Sequence, residues 1–217
     1  MDMNTNLSSA QIDSNASGAL RRSTEERRQE IVLTVLALAG EIGVDAITTQ
    51  AIAERMGLTQ GAVFRHFPNK EAIWSAVLDW LETNLDRVYQ PEPHAAPLSE
   101  VRRVFDAYME MFQRYPAVPR LFFCDTFHHP YPALHARMQR LVAWCEGHLN
   151  GWLGQAVADG TIRAGLDTRV AAKLLLAGIQ GLAFQTCILG IVNDPVAEGR
   201  PILDLYLAGL GAGKEVA

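Results

Sequence analysis

Four polar side chains of different kinds crowd into one short stretch: the Gln60 amide, the Arg65 guanidinium, the His66 imidazole and the Lys70 ammonium. They include no carboxylate pair and no nucleophile with a neighbouring base, so bond-making chemistry is not what they suit. They suit a nucleic-acid duplex. A glutamine amide can read a base edge, most often adenine. Arg65 and His66 can reach phosphate or base, and Lys70 sits where a phosphate contact is natural. Gly61 and Ala62 are small enough for the backbone to approach the bases, and Ala62 can touch a thymine methyl.

Such side chains need a rigid platform, and the surrounding residues predict one. Thr48 or Thr49 can cap a short helix running to Met56, Gly57-Leu58 makes a turn, and Thr59 can cap a further helix to about Phe67. Pro68 stops it, because proline lacks an amide and disfavours helix at the residue before it. Two short helices joined by a tight turn containing Gly form a helix-turn-helix. Ala53 is small where the helices cross, and Ile52, Met56, Leu58 and Val63 can fill the seam. The helix N-termini at Thr49 and Thr59 offer backbone amides to phosphates. Gln60, Gly61, Ala62, Phe64, Arg65 and His66 are left for the outer face. A preceding helix is expected from Ser23, which has capping-box spacing to Glu26, through Ile31, Val35, Leu38, Ala39 and Ile42 to Gly43. Asn69 caps a fourth, with Glu71 near its positive end and a stripe of Ile73, Val77, Trp80 and Leu81.

The stretch from Ser23 to Trp80, densest in AIAERMGLTQGAVFRHFPNKEAIW, resembles the TetR family of bacterial transcriptional repressors. The resemblance implies a recognition helix whose Gln60, Gly61, Ala62, Phe64 and His66 face DNA, with Lys70 on the backbone. It also implies a helical C-terminal domain that binds a small inducer and forms a homodimer through its last two long helices. The family usually carries Tyr at position 64. Phe64 lacks that hydroxyl and can only pack on sugar or methyl groups.

Beyond the break at 91–97, helical spacing resumes in Val101, Phe105, Tyr108, Phe112 and Tyr115, then in 133–158, in a helix capped by Asp167, and in 195–210, while 116–132 is broken and aromatic. No strand alternation is present, so the fold class is all-α. The expected organisation is a flexible tail (1–20), a helix-turn-helix DNA-binding domain (21–68), a ligand-binding and dimerisation domain (69–211) and a C-terminal tail (212–217). Facing stripes nominate Tyr108, Phe112, Phe122, Phe123, Trp144, His148, Trp152 and Phe184 as pocket lining for a flat or apolar organic molecule. Val170, Leu174, Ala177, Gly181 and Phe184 share one face suited to close helix approach. A symmetric dimer would set two recognition helices about one DNA turn apart, roughly 34–36 Å or a little more, and predicts a palindromic operator.

Composition bounds the alternatives. The chain has 217 residues, 49% of them hydrophobic, enough to exclude a disordered chain. The net charge of −5 speaks against nonspecific basic binding, and residues 21–74 balance seven basic against seven acidic groups. Arg21-Arg22 could form a minor-groove arm or a solvated flank. Leu174 to Asn193 lacks any charge and is long enough to span a bilayer, but Gln180, Gln185, Thr186 and Asn193 interrupt it, and it is expected to be a buried helix rather than a membrane anchor. With no apolar signal core and only three cysteines, the expected location is the cytoplasm. The alternative function is a thiol- or metal-responsive sensor using Cys124 or Cys145 with nearby His128, His129, His135 and His148, and Arg120 one turn before Cys124 if that segment is helical. A reactive cysteine needs an activated thiolate, and these spacings match no standard metal site. No metal ligand, cofactor or catalytic residue is assigned: G-x-S-x-G, H-E-x-x-H and C-x-x-C are absent, and the glycine-rich stretch 209–214 suits a frayed tail better than a phosphate loop.

Overall fold

A computed structural model describes residues 9–124 and 129–211, with side chains from residue 24 onward. Nine α-helices and no strand lie among the described residues: α1 (Ser9–Ile42), α2 (Thr49–Arg55), α3 (Gln60–His66), α4 (Lys70–Tyr89), α5 (Pro97–Arg114), α6 (Ala117–Phe123), α7 (Pro132–Ala158), α8 (Thr168–Phe184) and α9 (Pro195–Gly209). A π turn, Gln185–Leu189, extends α8.

Short polar side chains start many of these helices. Thr48, Thr59, Asn69, Asp167 and Asp194 each accept a hydrogen bond from an amide of the first turn, which satisfies a donor that the helix itself leaves orphaned. Pro97, Pro132 and Pro195 open α5, α7 and α9, where the missing amide costs nothing. Gly57, with φ +64, supplies the left-handed turn after α2, and the Leu58 amide closes back on the Ala53 carbonyl at 2.8 Å.

Two boundaries differ from expectation. α1 begins at Ser9 rather than Ser23, so Ser23 and Glu26 lie inside a helix and do not cap it. Residues 9–22 hold no proline, and extending an established helix adds one hydrogen bond per residue fixed. The stretch 116–132 is not wholly broken either: Pro116 stands at the N-cap of α6 and Pro119 lies in its first turn, where the helix does not need their amides. Residues 1–8 and 212–217 of the expected tails lie outside the described residues.

One continuous buried cluster runs from Ile31 of α1 to Leu210 after α9, and α4 threads it with Ile73, Trp74, Val77, Leu78, Leu81, Leu85 and Tyr89. The head and the C-terminal bundle are therefore packed through one helix. A second junction is α6 on α1: a methyl placed on Gly40 would lie 3.6 Å from the Ala117 amide. Two arginines fasten α4, one along its middle and one at its C-terminal end. Arg137 of α7 donates to Glu82 and Asp79 and to Ser75. Arg103 of α5 donates to the Val88 and Gln90 carbonyls and to the buried carboxylate of Glu100, which also accepts from the Glu92 amide. The buried carboxylate thus meets a hydrogen-bond donor at each of its oxygens.

Candidate DNA interface and ligand cavity

The helix-turn-helix is built around Ile52, Ala53 and Val63, all buried, with Met56 and Leu58 half-buried at the seam. Phe67 is fully buried behind α3, and the Arg28 guanidinium sits 4.2 Å above its ring while donating to the His66 carbonyl at 2.5 Å. That contact fixes the C-terminal end of α3 against α1. Burial of Val63 and Phe67 turns Gln60, Gly61, Phe64 and Arg65 outward. Phe64 is 43% exposed on this face.

Ala62, His66 and Lys70 are half-buried at the edge of this face. The His66 Nδ1 is buried with no hydrogen-bond partner among the described residues, so that nitrogen is not available to a duplex. Gln60 donates from Nε2 to the Thr49 hydroxyl at 2.6 Å. Thr59 caps α3 through the Ala62 amide at 3.2 Å. On the rim, Arg55 pairs with Glu41 at 2.5 Å, which raises the guanidinium and holds the carboxyl below its usual range through their hydrogen bond. The side chains of Arg21 and Arg22 lie outside the described ones.

The C-terminal bundle encloses a narrow apolar cavity of about 40 Å³ between α4, α5, α6, α7 and α8. That is room for a few water molecules. Tyr108, Phe112, Phe122 and Phe123 line it, as their stripes suggested. Trp144, His148 and Trp152 do not; they gather around Tyr89 at ring-centroid distances of 5.0, 5.4 and 5.7 Å. Phe184 also stands outside the lining, edge-on to Phe123 at 5.4 Å. Periodicity identified the buried faces of α7 and α8 but not the neighbours those faces meet. Tyr89 escaped notice because it sits beyond the stripe assigned to α4, though it falls one helical turn after Leu85.

Gln180 also escaped: it is a polar residue on the cavity wall, within a run whose sequence marks a buried helix and a packing face but no pocket. The cavity's other polar groups are already engaged. Tyr108 donates to the Cys145 sulfur at 3.3 Å and shares a 3.2 Å hydrogen bond with the Tyr89 hydroxyl. Burial pushes both phenols and the Cys145 thiol above their ordinary values.

The thiol reading finds no activated cysteine. Cys124, Cys145 and Cys187 are all buried, and Arg120 turns to the Cys187 carbonyl at 3.1 Å instead of Cys124. His128 lies outside the described residues, and among the described ones no three His, Cys, Asp or Glu side chains converge as a metal cluster. The long apolar run Thr168–Leu189 has the length and composition of a membrane span. One of its faces, with Ala172, Leu175, Ile179 and Leu182, is buried in the chain's own bundle. The opposite face, including Val170, Leu174 and Phe184, is exposed, and Ile202 and Leu205 of α9 are exposed as well.

Comparison with known proteins agrees with this geometry. The profile of the bacterial regulatory proteins, tetR family, matches residues 31–77, from the core face of α1 to the first half of α4. The nucleoid occlusion factor SlmA of Pasteurella multocida is 32% identical over 125 residues, which is 55% of this chain and 61% of that relative. The chain therefore spans less than two thirds of that protein's length. A TetR transcription regulator from Haloarcula marismortui superposes with a TM-score of 0.72 at 19% identity, covering 86% of this chain and 98% of that one. The regulator FadR of Bacillus subtilis, solved in complex with stearoyl-CoA, gives 0.66 at 18% identity over 83% and 98%. A helix-turn-helix with an outward polar face, matched by the family profile and joined to a helical bundle of the same fold as these regulators, identifies residues 31–77 as a DNA-binding domain of the tetR family of bacterial regulatory proteins.

Proposed function

We propose that the chain is a cytoplasmic, homodimeric repressor that reads a palindromic operator through α3 and leaves it when a small organic molecule enters the C-terminal cavity. Residues 21–68 would serve as the reading head and 69–211 as the sensing and dimerising body. Gln60, Gly61, Ala62 and Phe64 would face bases and sugars, while Arg65, His66, Lys70 and the amides at Thr49 and Thr59 would contact the backbone. The observation that carries this is the outward placement of Gln60, Gly61, Phe64 and Arg65 on a helix seated by buried Val63 and Phe67.

The exposed apolar faces of α8 and α9 support dimerisation, since a second copy would bury Val170, Leu174 and Leu205, each more than 60% exposed. Stearoyl-CoA in the FadR structure supports a ligand role for the bundle. The shared core along α4 gives the cavity a mechanical route to the heads. Release requires that the ligand prefer the dimer geometry that does not fit DNA, because equal affinity for both geometries shifts nothing. Selection of bound sequences from random duplexes tests the reading: enrichment of one palindrome supports it, and no enrichment at moderate salt contradicts it.

The tightness of the cavity favours one second reading, a DNA-binding protein that no small molecule releases. A DNA complex that withstands every compound able to bind the bundle would select that reading.

A further inference from the structure

We infer that the cavity takes an uncharged, predominantly hydrocarbon molecule bearing a single hydrogen-bonding group, which the Gln180 amide holds and which enters past Phe122. This rests on the ligand-responsive reading above and narrows it to a chemical class.

Among the described residues the cavity wall holds no charged side chain: of those that line it, only Tyr108, Cys145 and Gln180 are polar. An unpaired charge taken into such a site would lose its hydration and gain no counter-charge. The Tyr108 hydroxyl is occupied by Cys145 and Tyr89. Gln180 has no hydrogen bond to a described residue, and its amide can both donate and accept. It is thus the group able to meet a hydroxyl, ketone or amide. Thr186, in the π turn that follows this helix, is spent on the Leu182 carbonyl at 2.8 Å.

The cavity is too small for such a molecule as it stands, so one wall must yield. Phe122 and Val142 are that wall. They line the cavity on one side and, on the other, an open groove of about 300 Å³ between α6 and α7. Rotation of Phe122 would join the two spaces into one apolar channel. The groove's outer rim carries His135, Gln139 and Glu146, and Gln139 and His135 are already hydrogen-bonded to each other at 2.9 Å. Among the described residues that rim offers an anionic head group no arginine or lysine and presents it with a carboxylate.

Calorimetry on the full chain with decan-1-ol, decanoate and decylammonium tests this. Decan-1-ol should bind at least about tenfold more tightly than either ion, given the cost of an unpaired buried charge. Gln180→Leu and the unbranched Gln180→Met should each weaken decan-1-ol about three- to tenfold, the worth of one hydrogen bond, with helix content and unliganded melting unchanged. Phe122→Ala should speed association about threefold or more by removing the conformational step. The inference fails if either ion binds as tightly as the alcohol, if both folded Gln180 variants bind it like the parent, or if none of the three probes binds. Duplex selection without any probe is read separately: a palindrome selected while no probe binds overturns only the ligand class. Decan-1-ol bound without any DNA preference overturns the repressor and leaves the site standing.

Discussion

The Gln60 amide donates to the Thr49 hydroxyl at 2.6 Å, tying the first residue of α3 to the first residue of α2. The side chain best suited to read a base is thus held by the helix beneath it. A glutamine fixed in this way presents its carbonyl in a defined direction and loses less rotamer freedom on binding.

Gln60→Ala should lose preference at one base-pair position of each half-site, worth about 1–3 kcal/mol. Thr49→Val should relax preference at that same position while retaining affinity for random duplex. Binding measured across single-base operator variants checks both. Loss at different positions for the two variants would contradict a shared role.

Lys70→Ala should weaken every sequence alike and reduce the slope of log affinity against log salt by about one. Titration of operator and random duplex at several salt concentrations gives the slope. An unchanged slope would remove Lys70 from the backbone contacts.

Glu100 is 2% exposed and depends on Arg103. Arg103→Met leaves its carboxylate with the Glu92 amide alone and should cost about 2–4 kcal/mol. Glu100→Gln should cost less, because it leaves a neutral group behind. Urea unfolding of both variants orders these costs.

Alkaline pH should weaken the fold. Tyr89, Tyr108, Tyr206 and Cys145 are all raised by burial. Each group keeps its proton in the folded chain at a pH where the unfolded chain has lost it. Their contribution is therefore intact below the ordinary thiol and phenol values and declines as pH rises past about 9 to 10 towards the raised folded values. Urea midpoints between pH 7 and pH 11 should fall only in the upper half of that range. The same burial predicts slow alkylation of Cys145 in the native protein at pH 7 and fast alkylation once it is unfolded.

The reading head was legible because its signals are local. Thr48, Thr59 and Asn69 sit where caps must sit, and Gly57 adopts the positive φ that its turn demands. The body was legible in its helices more than in its contacts. Tyr108 and Phe112 reach the cavity, but Trp144, His148 and Trp152, equally regular in spacing, pack on Tyr89 from another helix. Spacing fixes a residue's angle about its own axis and says nothing of what stands opposite. The π turn at Gln185–Leu189 was invisible for a related reason: Arg120, sixty-seven positions away in sequence, donates to the Cys187 carbonyl within it.

The central claim is that two copies of α3 read one palindrome. It is tested most directly by footprinting the selected duplex with the parent chain and with Leu174→Asp, at a residue 61% exposed on the apolar face of α8. The account predicts that the parent protects two symmetric half-sites about one DNA turn apart, roughly 34–36 Å, and that Leu174→Asp sediments as a monomer with the footprint lost. Protection of an asymmetric site, or an unchanged footprint from a monomeric variant, would contradict it.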